Sequence, residues 1–493
     1  MCAGQATKPV TVKDLLFGSD RFRLNCRLGM AACILLAASS LGSSISRAVA
    51  AETQVVDPFA VVAAFDRAAQ LQGWPGFDAT AYPIAIYDGE RTLLLRHPNP
   101  PAEFLLLPGH EGVRVSPGKH SAMRWNSNAD IGGVPTATLL LTIEPGRTVD
   151  YEAHILFHEV FHLFSRPLHP TWSPNEIWRY NYPVDDLENY RQLLLEEEAL
   201  AKAMESESDS DGVSWAAAAL TIRLDRQARL SQEHRSYETA LELQEGTAVY
   251  MGRSMLGVAS ETERLREDRG PAGIRWRFYE TGAAISVILD RLAPSWKEDL
   301  DARPEVTFTQ LLSTALAAMD ADPATFSNEV RTRIEERAIT ALNKLSAERE
   351  QLYDDFLQRR NRVIIRLADE EDHFSFDRFD PMAVEILDQG EALQAHLLTS
   401  SHPRGEVSFE NPRFLPRSLE GVIALTSPVG QHPFLGGYRR IAFSGFSDKP
   451  VVERNGIAVN VKADGLFVSF SGATIESTDH ELIITVLPSA AIE

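Results

Sequence analysis

The sequence predicts an α+β fold that ends in an all-β domain, and three successive patterns along the chain predict it. β-prone runs with hairpin punctuation precede residue 148, helical periodicity dominates from there to about 361, and short β-prone runs between turn residues follow. With 493 residues the chain is longer than one hydrophobic core serves. We divide it into a leader at 1–50, a first domain at 51–361 and a β-rich domain at 362–493.

The leader reads as an export signal. Arg21, Arg23 and Arg27 precede an apolar stretch at 28–41, and Ala48-Val49-Ala50 follows as a cleavage-like site. The apolar stretch is too short for a comfortable membrane span, which needs about 20 residues. The expectation is therefore a secreted or periplasmic protein with no stable membrane insertion after the signal is removed. Cys2, Cys26 and Cys33 all lie in this leader. The mature chain then has no disulfide framework, no thiol nucleophile and no thiolate metal site, so metal ligands must come from His or carboxylate side chains.

Charge narrows the partners. Lys plus Arg number 48 against 69 Asp plus Glu, a formal net charge of -21. Removing six basic and two acidic residues with the leader leaves 42 against 67, or -25. Such a balance repels nucleic acid and anionic lipid surfaces and fits a solvated protein.

The elements follow in order. Residues 57–71 have helical spacing, with Asp57 as cap and Pro58 in the first turn. Runs at 82–87 and 92–96 flank Asp88-Gly89, a hairpin signal. The β-prone run 136–143 stops at Pro145-Gly146, and a helix begins near Thr148 or Asp150. Further helices are expected at 187–204, 213–230, 237–251, 278–292, 308–319 and 327–357. The acidic stretch 205–212 reads as a solvated loop, because it lacks the ligand spacing and closing Glu of a calcium loop. Strands are expected at 421–425, 440–443, 457–461, 466–470 and 481–487, as a small sandwich or barrel suited to packing and recognition.

One segment states a chemistry. In His154-Ile-Leu-Phe-His158-Glu159-Val-Phe-His162 the last five residues form a His-Glu-x-x-His pentad. On a helix, positions i and i+4 share a face, so His158 and His162 can converge on one metal ion. Glu159 sits beside them, able to reach a metal-bound water as a general base. The surrounding residues 153–164 are apolar apart from their His and Glu, and buried imidazoles and carboxylates need a partner such as a divalent metal. His154, one turn earlier, suits a structural or supporting role. A third ligand is still required. Two helical stretches offer one: Glu245, followed by Gly246, and the cluster Glu196-Glu197-Glu198, whose other reading is a solvated helical face.

The pentad and the run Glu245-Gly246-Thr-Ala248-Val-Tyr250 resemble the gluzincin peptidases, among them aminopeptidase N, leukotriene hydrolase and the bacterial glycyl aminopeptidases. The resemblance implies that Glu245 is the third ligand of one zinc ion. It also implies a thermolysin-like metallopeptidase core, an antiparallel sheet plus a helical subdomain, whose edge strand can pair with an extended peptide. A close-packed Gly246 after the ligand would let two helices approach. Phe278-Tyr279-Glu280-Thr281-Gly282 is similar to the family's Tyr-Glu-Lys-Gly segment, which makes Tyr279 the candidate for stabilising the oxyanion. The similarity runs from the pentad to residue 292.

Three departures stand beside it. Glu245 follows His162 by 83 residues, far more than in the family's aminopeptidases. Thr281 replaces the family's Lys. Where those enzymes carry an amine-anchoring Glu before the metal helix, this chain reads Asp130-Ile-Gly132-Gly133-Val-Pro135, so cleavage within peptides is as well supported as trimming from the amino end. The expected function is a secreted zinc metallopeptidase with His158, His162 and Glu245 on the metal and Glu159 and Tyr279 in catalysis, acting on a peptide or protein substrate. The contrasting class is a non-catalytic envelope binding or scaffold protein with a structural or inactive metal site. A metal hydrolase of ester bonds would use the same water attack.

Overall fold

A computed structural model describes residues 56–488, apart from 142–146, 258–261, 388–389, 416–417 and 430–431. The leader and its three cysteines lie outside the described residues. Helix α1 (Pro58–Ala68) starts where Pro58 presets the backbone and the Asp57 side chain accepts from the Phe59 amide. Its buried face, Val61, Ala64 and Phe65, packs on the helix that carries the pentad.

Six strands form the first sheet: β1 (Ile84–Tyr87), β2 (Arg91–Leu95), β3 (Leu105–Leu106), β4 (Val113–Pro117), β5 (Ser127–Ile131) and β6 (Val134–Leu140). Their order is β3-β4-β2-β1-β6-β5. β1 and β2 form the expected hairpin, with Ile84 opposite Leu95 and Gly89 at φ 100° in the turn. The sheet is not wholly antiparallel. β6 returns after a long excursion and lies parallel to β1, with Ile84 beside Ala137. The period-2 alternation then sorts side chains: Ile84, Ile86, Leu93 and Leu139 face the main core, while Ala85, Leu94 and Ile131 meet Phe104 and Met123 on the other face. β5 is left as an edge strand.

Helix α2 (Val149–Leu168) carries the pentad. Thr148 caps it by accepting from the Tyr151 amide, and Asp150 and Glu152 stand in the first turn, where the helix dipole favours negative charge. Helices α3 (Leu187–Glu205), α4 (Asp209–Gln227) and α5 (Gln232–Leu241) follow. The stretch 205–212 is not a loop throughout. Ser208 caps α4, and Asp209 and Asp211 lie in its first turn, so acidic residues that read as a break serve as helix-starting charges. The run expected as one helix at 237–251 is part of a longer one: α5 passes through a π turn (Glu242–Gly246) into α6 (Thr247–Met255). Helices α7 (Thr262–Arg266), α8 (Ile274–Leu292), α9 (Trp296–Ala302), α10 (Phe308–Ala317) and α11 (Asn328–Gln358) complete this part. Among the described residues no helix is long and apolar enough to cross a membrane.

Beyond α11 the chain builds two more sheets. The five strands expected from sequence are present as Ile423–Pro428, Tyr438–Ser444, Ala458–Ala463, Leu466–Ser471 and Glu481–Val486, together with others that begin at Arg362–Leu367. One sheet has seven strands and the other six, and they share a core of Val363, Ile441 and Phe443 against Val407, Phe409, Val468 and Phe470. The fold is therefore mixed α+β, with three sheets among the described residues, two of them in the C-terminal region. That region also packs on the segment after α2: Tyr180 stacks edge-on with Phe434 and donates to the Pro381 carbonyl at 2.8 Å, and His432 Nε2 donates to the Ile177 carbonyl at 2.9 Å.

Candidate metal centre

Helical spacing brings the pentad imidazoles together as expected. His158 Nε2 and His162 Nε2 lie 3.0 Å apart on α2. The π turn, packed directly against α2, brings Glu245 to the same point: its Oε2 is 3.1 Å from His162 Nε2 and 3.2 Å from His158 Nε2. His158, His162 and Glu245 are the one group of three such side chains among the described residues that could hold a metal ion. The donor set, two imidazole nitrogens and one carboxylate oxygen, is deeply placed. His162 keeps 2% of its side chain exposed and Glu245 6%, against 12% for His158, so solvent reaches the cluster on the His158 side.

The π turn explains how one helix serves two sites. In a regular α-helix, residues three apart point within about 60° of each other. The wider turn opens that angle between Glu242 and Glu245. Glu242 can then face Arg223 and Thr281, which donate to it at 2.6 Å, while Glu245 faces the imidazoles. Such turns are rare in helices and recur at functional sites.

Burial sets the protonation of the cluster. It drives the His162 imidazole down to about 4, against the attraction of Glu245, so the ring is neutral and has a lone pair to offer. Burial opposes charge on Glu245 as well, but His162 and His158 outweigh it and hold its carboxyl well below the usual range. Glu159 is 8% exposed. Burial, aided by the charge of Glu245 and resisted by His158 and Arg166, pushes its carboxyl up to about 7, the range of a group that exchanges a proton near neutrality.

Tyr279, in the second turn of α8, joins the cluster. Its ring is nearly parallel to that of His158, with centroids 6.3 Å apart, and its hydroxyl accepts from Arg275 at 2.9 Å. The edge strand also reaches the site. Asn128 on β5 donates to the Glu159 backbone carbonyl at 2.8 Å and accepts from Arg166 at 3.1 Å, fixing the strand beside the pentad.

Other candidates lie elsewhere. Glu196 and Glu197 are neither ligands nor a solvated face. Glu196 is buried between Arg223 and Arg226, and Glu197 is buried against Arg277. Glu198 pairs with Arg266 at 2.7 Å. Helical charge patterns read as surface in the absence of knowledge of their partners, and the partners here are Arg side chains on α4, α7 and α8. His154 stands outside the cluster, pressed against Gly252 of α6, whose missing side chain makes room for the imidazole. Tyr250 donates to Asp290 at 2.6 Å and supports packing away from the cluster. Sequence reasoning did not single out Arg275, Gln244 or Asn128. Arg275 had a usable signal, since it precedes Tyr279 by one helical turn.

Compared with family models, with curated proteins and with solved structures, the chain matches none.

Proposed function

We propose that this chain is a zinc-dependent hydrolase of peptide bonds, of gluzincin type, acting outside the cytoplasm. The observation that carries the reading is the triangle of donor atoms with sides of 3.0, 3.1 and 3.2 Å beside a buried carboxyl on the same helix. Ligands of a tetrahedral zinc at ~2.0–2.1 Å stand about 3.3 Å from each other, so these three side chains suit that ion. Three protein ligands leave a fourth position, as in catalytic rather than structural zinc sites.

Zinc, when bound, lowers the pKa of water to about 7 and polarises a carbonyl. The chain's own residues would do the rest. Glu159, on the same helix as both imidazoles, would take a proton from the attacking water and pass it to the leaving amine. Tyr279 donates a hydrogen bond to the oxygen on which charge develops. The outer edge of β5, terminal in its sheet among the described residues and held beside Glu159 through Asn128, would offer main-chain groups to an extended peptide. With no amine-anchoring Glu in this stretch, cleavage within a chain is as well supported as trimming of its amino end.

The test is metal analysis and proteolysis of the purified chain. We expect one zinc per chain and cleavage of an unfolded protein such as casein. Glu159→Gln should keep the zinc and lose activity by about 10²–10⁴-fold. Undiminished activity in that variant removes the mechanism, and a parent with zinc but no turnover of peptides or esters supports a binding or scaffold protein instead.

A further inference from the structure

The Glu245 carboxylate is divided between two surroundings. Oε2 faces both imidazoles. Oε1 faces away from them, accepting from Gln244 Nε2 at 3.1 Å and lying 3.4 Å from Arg275 Nη2. The same Arg275 nitrogen donates to the Tyr279 hydroxyl oxygen at 2.9 Å, and the guanidinium lies 5.4 Å from the centre of the Tyr279 ring. The other amino nitrogen of the guanidinium, Nη1, is ion-paired with Glu176, whose carboxylate also accepts from the Tyr237 hydroxyl at 3.3 Å. Arg275 thus spans from the rim of the site to its third ligand.

We propose that Arg275 is a positioning residue of this centre: anchored by Glu176, it turns one oxygen of Glu245 toward the imidazoles and orients the Tyr279 hydroxyl. The inference rests on the metal-site reading above. A carboxylate free to rotate presents either oxygen, and the group that holds the outer oxygen selects which one faces the metal position. A phenol has one proton and two lone pairs. Because Arg275 fills a lone pair, the Tyr279 proton is left for an acceptor, and here the Glu245 carboxylate takes it. Arg275 and Tyr279 are one helical turn apart on α8, so both are aimed by the same rigid element.

The sign of the effect separates orientation from simple charge. A cation beside a metal ligand repels the metal, so if Arg275 contributed only its charge, removing it would tighten metal binding. Orientation demands the opposite.

Zinc affinity of the full chain should be measured by competition with a chromophoric chelator for the parent, Arg275→Met, Arg275→Lys and Glu176→Gln, with unfolding of each metal-free protein followed in urea. We expect Arg275→Met to bind zinc about 10–100-fold more weakly at an unchanged unfolding midpoint. Arg275→Lys should recover part of that loss. Glu176→Gln, at the partly exposed rim, should show a smaller loss of the same sign and guards against a misfolded Met variant. Zinc binding in Arg275→Met that equals or exceeds the parent's overturns the role of Arg275 and leaves the metal site standing. A parent that binds no zinc removes the metal site itself, and the role of Arg275 with it.

Discussion

Gly246 and Gly282 touch: a Cβ placed on Gly246 would stand 2.6 Å from the Gly282 Cα. The π turn that presents Glu245 is thereby pressed directly on the backbone of α8, the helix that presents Arg275 and Tyr279. The contact sets the spacing between two halves of the candidate site. In Gly282→Ala the added carbon would meet the Glu242 carbonyl oxygen at 2.7 Å and the Gly246 Cα at 2.9 Å, and neither is a side chain that can swing away. We expect a loss of ~1–3 kcal/mol in stability, together with weaker zinc binding, in urea unfolding and chelator competition. Parent values in both measurements would mean that the helices separate without consequence for the ligand.

Glu245 and Glu198 give a direct contrast. Glu245→Ala removes a donor oxygen from the cluster and should abolish stoichiometric zinc binding. Glu198→Ala removes a partner of Arg266 and Lys202 near the surface and should leave the metal in place. Metal analysis after dialysis distinguishes them, and zinc lost from the Glu198 variant alone would reverse the assignment.

Stability should be concentrated in the charges beneath the ligand helix. Arg226 is buried between Glu196 and Glu238, at 3.1 and 2.5 Å, and receives no help from solvent. Removing one partner of a buried pair leaves the other charge uncompensated. Arg226→Met should therefore unfold at lower urea, with a deficit of about 3–5 kcal/mol. A deficit below about 1 kcal/mol, the range of an exposed pair, would show that the network is hydrated.

A surface pair predicts how stability varies in acid. Hydrogen bonds from Arg266 hold the Glu205 carboxyl down at about 2, with burial opposing and Thr262 assisting. Because the folded value lies below the ordinary one, the contribution is complete above about pH 4.5 and disappears as pH falls through about 2. Glu205→Gln should accordingly be less stable than the parent at pH 6, and the gap should close steadily below pH 4.5. Unfolding series at several pH values check this; a gap that stays constant down to pH 2 would contradict it.

Much of the arrangement was legible in the chain. Local rules sufficed for the pentad, because i and i+4 positions on a capped helix have no other geometry, and for the hairpin at Asp88-Gly89. The resemblance to the gluzincins, carried by the Glu-Gly pair, pointed to Glu245 across 83 residues, although a helical pattern alone gives no hint that the helix widens into a π turn there. The parallel pairing of β1 with β6 was invisible, since strand order is a tertiary property. Glu196 and Glu197 misled for a related reason: a charged triplet on a helix reads as solvated, and the arginines that permit its burial lie about 30 to 80 residues away and carry no local mark.

The long stretch between His162 and Glu245 also constrains how this protein can change. Helices α3 and α4 fill that interval, and they are not a detachable excursion. Arg223 and Arg226 on α4 supply the positive charge for Glu238 and Glu242 on the ligand-bearing helix. Excising the interval would strand two carboxylates in an apolar interior, so a shortened chain would have to replace those glutamates at the same time. Spacing and ligand helix can be altered together, but neither can be altered alone.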